Sequence, residues 1–179
     1  MQMAKRVASA MANSKFSVVV AKENLKFSAA HFMAYPGFRE ALHGHNYQVG
    51  VRIEGRLAPT GYVLDFGLVK EIVREIVGSL DERTLLPAES DCLEIERWGD
   101  QRVAVRFGED EFIFPASDVR LLPIVHSSAE ELARFICGEL RRRLAQRSAL
   151  EGLAVLEISV AEAPGQAAVY REMLTDAAS

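Results

Sequence analysis

Residues 27–55 read FSAAHFMAYPGFREALHGHNYQVGVRIEG, and three of the chain's 4 histidines stand among them. Tyr47, Val49, Val51 and Ile53 alternate with Gln48, Gly50, Arg52 and Glu54, which is the period of a half-buried β-strand. His43 and His45 share the parity of Val49 and Val51, so both imidazoles are expected to face inward at the start of that strand. A neighbouring antiparallel strand ending near His31 brings a third imidazole alongside. Three protein nitrogens leave one coordination position open, the arrangement of a catalytic rather than a structural zinc. Spacing alone also fits three unrelated histidines, two on a strand and one in a core.

Working outward, FSVVVAK at 16–22 and LKFSAAHFM at 25–33 read as two strands or one interrupted strand, rich in β-branched and aromatic residues. The Pro36-Gly37 pair between His31 and His43 marks a loop. Asp65 is placed as a helix N-cap, because Leu68, Val69, Ile72, Val73, Ile76, Val77 and Leu80 recur behind it at helical spacing. A second helix starts at Ser127 or Ser128, where Ser128 and Glu131 fit a capping box, and runs through Leu132, Ile136, Leu140 and Leu144. Between the helices, LEIERW, RVAVRF and EFIFP are separated by Gly-Asp and Gly-Glu-Asp turns and predict an inserted β-meander at about 88–120. LAVLEISVAEA at 153–163 is a further strand, with GQAAVYREM pairing back on it. The implied class is α+β, an antiparallel sheet carrying two helices on one face.

The bulk properties set outer bounds. The 179 residues are 49% hydrophobic and 26% charged, which suits one globular domain over 16–179 behind a flexible leader at 1–15. A net charge of -4 lacks the basic face expected of a nucleic-acid binder. Cys92 and Cys137 form no disulfide framework, and no apolar run reaches the length of a membrane span. The expected setting is cytoplasmic, with no nucleic-acid or membrane partner.

The motifs FSAAHF, LHGHNY, GYVLDFGLVK, Leu80-Asp81-Glu82, HSSAEELA and VAEA occur in that order over residues 16–173, and together they resemble the 6-pyruvoyltetrahydropterin and 6-carboxytetrahydropterin synthase superfamily. The resemblance implies the tunnelling fold, in which strands of several subunits join into a barrel, and a homohexamer built as two trimers with active sites at subunit interfaces. It implies zinc on His31, His43 and His45, a pterin clamp at Glu162, and a substrate-binding hydroxyl at Ser128, whose family partner is replaced by Ala129. It also implies 7,8-dihydroneopterin triphosphate as substrate and a carbon–oxygen or carbon–carbon lyase reaction.

Two departures bear on catalysis. Family members usually carry a cysteine a few residues before the His-x-His, whereas this loop, GFREALHGH, holds Glu40 instead. The stretch AHFMAYPGFREALHGHNY is similar to a subgroup from malaria parasites and some bacteria in which glutamate replaces that cysteine. That subgroup is associated with cleavage of the side chain to 6-hydroxymethyl-7,8-dihydropterin for folate synthesis, with the carboxylate as general base in a retro-aldol step. The family's Leu-Asp-His reads Leu80-Asp81-Glu82 here, so Asp81 and Glu82 are the proton-transfer candidates. His126 either substitutes for the missing relay imidazole or is a capping or interface residue. The alternative products are 6-carboxytetrahydropterin, of the queuosine pathway, and 6-pyruvoyltetrahydropterin; a further alternative is a pterin-binding protein that has lost catalysis. Lys26, Arg39 and Arg52 are candidate phosphate contacts.

Overall fold

Two long strands, β1 (Phe16–His31) and β4 (His43–Gly55), pair antiparallel from Phe16 opposite Gly55 to His31 opposite His43. A computed structural model describes residues 16–174; the leader expected over 1–15 lies outside them. The register of the pair shifts once, between Ala21 and Lys26. Before the shift the even residues Val18 and Val20 are buried; after it the odd residues Leu25, Phe27, Ala29 and His31 are. Between Ala21 opposite Gly50 and Lys26 opposite Gln48, β1 takes up three more residues than β4. An odd number of extra residues exchanges the two faces of a strand, and this makes His31 an inward residue. The two expected segments are therefore one strand with a bulge. On β4, Tyr47, Val49, Val51 and Ile53 are buried as their alternation predicts.

Between these strands a small hairpin, β2 (Ala34–Tyr35) and β3 (Phe38–Arg39), turns at Gly37, whose φ of 86° suits glycine. The helices are α1 (Phe66–Gly78) and α2 (Ala129–Gln146). Asp65 caps the first, accepting from the Gly67 amide at 2.7 Å, and Ser128 caps the second, accepting from the Glu131 amide at 3.3 Å. Their apolar stripes, including Val69, Ile72, Val73, Ile76, Leu132, Ile136 and Leu140, share one core with the inner faces of β1 and β4. On the solvent side Arg143 of α2 and Arg147 just past its end bond Glu75 and Glu71 of α1.

The main sheet has the order β11-β10-β4-β1-β5-β9, with β10 (Leu153–Ala163) and β11 (Gln166–Met173) forming a hairpin on one side. It is mostly antiparallel, but β5 (Arg83–Pro87) and β9 (Val119–Leu122) add to β1 in parallel. The two parallel strands at one side have a physical reason. Parallel neighbours need a long connection between them, and the chain between β5 and β9 supplies one. It forms a separate three-stranded sheet of β6 (Glu94–Trp98), β7 (Arg102–Phe107) and β8 (Asp110–Pro115). Phe32, Ala34, Leu86, Leu93, Val103 and Val105 form its own apolar cluster against the main body, with Phe112 and Phe114 packed on it.

Candidate metal centre and adjoining pocket

The β1–β4 register does the assembly. His31 faces His43 across the pair, and His45 follows two residues along the same face, so their ligand nitrogens lie within 4.8 Å of one another. His31 Nδ1 lies 2.8 Å from the Ser127 carbonyl and His43 Nδ1 lies 2.8 Å from the Ala41 carbonyl. A carbonyl only accepts, so each Nδ1 donates and leaves Nε2 as the nitrogen available to a metal. His31 Nε2 is buried and has no partner among the described residues. Burial holds the His31 pKa below its ordinary value, and the neighbouring His43 and His45 add to the effect, against the Ser127 bond and Glu162. A neutral imidazole with an unpaired buried Nε2 and its other nitrogen fixed by a carbonyl is the form that ligates a metal. The donor set, three nitrogens and no thiolate, fits zinc with an open position.

A cavity of about 280 Å³ opens on this cluster, lined by His31, His43, Glu40, Ser128, Glu162 and Gln166 among others. Glu40 follows the β2–β3 hairpin. Its amide donates to the Met33 carbonyl at 2.9 Å, and its Oε2 accepts from the Met33 amide at 3.1 Å. One carboxylate oxygen is therefore held, and the other has no hydrogen-bond partner among the described residues. Glu162 continues the inward parity of Leu156, Ile158 and Val160 past the end of the core, which carries its half-buried carboxylate to the pocket. Ser128 accepts from Glu131 as a cap and keeps its hydroxyl proton to donate. The amino end of α2, at Ser128 and Ala129, also lines the cavity, adding the positive pole of the helix dipole. Beneath the histidines the Tyr47 hydroxyl is buried without a partner among the described residues. Its pKa is raised by burial and then by Glu162 and Glu40, so it remains a neutral donor.

Other expected residues lie elsewhere. Glu82 lines a second cavity of about 490 Å³ with His45, Asn46, Arg83 and Asp118. Asp81 Oδ1 accepts from the Ser28 amide at 2.7 Å, and the Glu82 amide donates to the Ser28 carbonyl at 2.7 Å. Within one chain, this pair fastens the exit of α1 to β1, and neither residue lines the Glu40 cavity. His126 lines neither cavity, and its buried Nδ1 has no partner among the described residues. Of the candidate phosphate contacts, Arg39 pairs with Asp110 and Arg52 with Glu157. Sequence reasoning passed over Met33 and Ala41 because they act through backbone atoms, which leave no mark on residue type, and read Ser127 only as a helix start, not as the residue whose carbonyl holds His31.

Residues 20–173 match the family model of 6-pyruvoyl tetrahydropterin synthase. A Methanocaldococcus jannaschii protein provisionally named as a 6-carboxy-5,6,7,8-tetrahydropterin synthase is 34% identical over 151 residues, 84% of this chain and 91% of its own length. A dihydroneopterin monophosphate aldolase of Pyrococcus furiosus is 41% identical over 59 residues, 33% of this chain and 50% of its own. Among solved structures, a Plasmodium vivax 6-pyruvoyltetrahydropterin synthase with a catalytic glutamate changed to alanine superposes with a TM-score of 0.85 at 34% identity, covering 90% of this chain and 100% of that one. The shared architecture is the tunnelling fold.

Proposed function

The chain belongs to the 6-pyruvoyl tetrahydropterin synthase family, and from that premise we propose that it is a zinc-dependent lyase cleaving the side chain of 7,8-dihydroneopterin triphosphate to 6-hydroxymethyl-7,8-dihydropterin. The observation that carries this is Glu40, which lines the cavity with His31 and His43 where the usual family member has a cysteine. The catalytic residue of the Plasmodium vivax relative is also a glutamate, and a partial match is named an aldolase, which supports carbon–carbon cleavage.

In this mechanism the Glu162 carboxylate accepts the two parallel hydrogens of the pterin 2-amino group and N3, a bidentate charge-assisted pair. Ser128 donates its hydroxyl to the ring. When bound at His31, His43 and His45, zinc supplies a Lewis acid that polarises the side-chain hydroxyls. The free oxygen of Glu40 takes the proton of the hydroxyl on the second side-chain carbon. That carbon leaves as an aldehyde, the bonding electrons pass into the pterin ring, and the remaining carbon takes up a proton to become hydroxymethyl. Asp81, Glu82 and His126 stay in the proposal as proton-transfer groups delivered across a subunit interface of a homohexamer, since one chain does not bring them to Glu40.

A second reading, a 6-carboxytetrahydropterin synthase, is favoured by the name of the Methanocaldococcus jannaschii relative. Incubating zinc-loaded protein with 7,8-dihydroneopterin triphosphate and separating the oxidised pterins by chromatography decides between them. Hydroxymethylpterin supports the proposal and carboxypterin the second reading, while bound but intact substrate indicates a binding protein. Glu40→Gln is expected to lower turnover by about 10²- to 10⁴-fold with metal content unchanged, and retained turnover removes Glu40 from the mechanism.

A further inference from the structure

Arg39, beside Glu40, engages all three guanidinium nitrogens and one ring face. Nε and Nη2 lie 2.9 and 2.8 Å from Asp110 Oδ2. Nη1 donates to the Glu40 carbonyl at 2.7 Å. The guanidinium carbon stands 5.0 Å from the centre of the Phe112 ring, and Phe112 in turn stacks on Phe32 at 5.1 Å. Asp110 and Phe112 both belong to β8 of the inserted sheet. The Glu40 segment is thus held from two directions, by Arg39 on its carbonyl and by Met33 on its amide and carboxylate.

An ion pair this exposed, with Asp110 55% accessible, contributes little to stability by itself. Its value here is orientation. Arg39 joins a carboxylate, a carbonyl and an aromatic face through one rigid planar fork, which a lysine ammonium does not reproduce. We propose that Arg39, anchored by Asp110 and Phe112, is a positioning residue that holds the Glu40 carboxylate at the cavity, so that the inserted sheet serves the site it does not line. The catalytic part of this rests on Glu40 being the base.

The test follows Arg39→Lys, Arg39→Ala and Asp110→Asn by two readouts. The first is amide hydrogen exchange at Met33, whose N–H is held by Glu40 Oε2; the second is steady-state turnover of 7,8-dihydroneopterin triphosphate by the zinc-loaded protein. Arg39→Lys retains the charge and guards against a variant that only misfolds. Both Arg39 variants are expected to speed Met33 exchange by about five- to tenfold, the size of one lost hydrogen bond, and to lower kcat by about tenfold or more with KM and metal content unchanged. Asp110→Asn moves both readouts in the same direction by less. In a Glu40→Gln background, Arg39→Lys produces no further loss of kcat. Unchanged Met33 exchange in both Arg39 variants overturns the proposal, as does a loss of rate that follows only the fraction of unfolded protein. Faster exchange with undiminished kcat confirms the positioning and instead sinks Glu40 as the base.

Discussion

Ser127→Ala tests how the first metal ligand is oriented. Ser127 is 1% exposed, and two of its atoms reach the end of β1: its carbonyl accepts from His31 Nδ1 at 2.8 Å and its hydroxyl donates to the Phe32 carbonyl at 2.8 Å. Removing the hydroxyl takes the donor from a buried carbonyl, a loss of about 1–3 kcal/mol. It leaves the Ser127 carbonyl in the chain but frees the segment that aims it. Loss of an outer partner to a ligating histidine costs about 10- to 100-fold in metal affinity. Because the acceptor is loosened rather than deleted, the lower end applies, about tenfold. The control is Ser128→Ala, which removes the α2 cap at a cost of about 1 kcal/mol and leaves the His31 bond alone. Zinc affinity is measured by competition with a chromophoric chelator, and stability by urea unfolding of metal-free protein. Metal affinity is insensitive to a stability loss of this size while nearly all of the protein stays folded, so the two readouts separate. Equal weakening by both variants, or unchanged zinc affinity in Ser127→Ala, refutes the orientation argument.

Three further outcomes are expected. Glu162→Gln removes a charged bidentate acceptor and weakens binding of a 7,8-dihydropterin by about tenfold or more, measured by calorimetry with zinc content as the control; unaltered affinity dismisses the clamp. The His31 pKa lies below its ordinary value through burial, so around and below pH 6.5 the unfolded chain binds a proton that the folded chain refuses. Stability of the metal-free protein therefore falls as pH drops through that range, and the decline becomes shallower in His31→Gln; an unaltered slope contradicts the assignment. Burial, with Glu172 beside it, pushes the Cys137 thiol up to about 12, so a thiol reagent at pH 8 is expected to label the half-buried Cys92 in native protein and both cysteines in urea. Rapid native labelling of Cys137 rules out the buried placement.

What was legible in the chain follows the range of the interactions involved. The shared face of His43 and His45 came from the alternation of their own strand, although His43, expected inward, is exposed at the strand's start. The caps at Asp65 and Ser128 came from residues two and three positions away. The parallel strand β5 escaped because Thr84, Leu85, Leu86 and Pro87 are all buried, and a strand covered on both faces shows no alternation. The inward turn of His31 depends on a bulge whose position only the pairing with β4 reveals.

The site divides along the same line. Residue types and spacing suffice for metal ligands that share two adjacent strands. The identity of the base came from a resemblance, because a glutamate in a loop has no periodicity to betray it. What holds these groups in place joins residues 96 apart, as in the His31–Ser127 bond, or 71 apart, as between Arg39 and Asp110. Such contacts are set by how sheets and loops pack, so replacing Asp110 in a segment read only as an insertion is expected to reach the Glu40 carboxylate without touching the pocket wall.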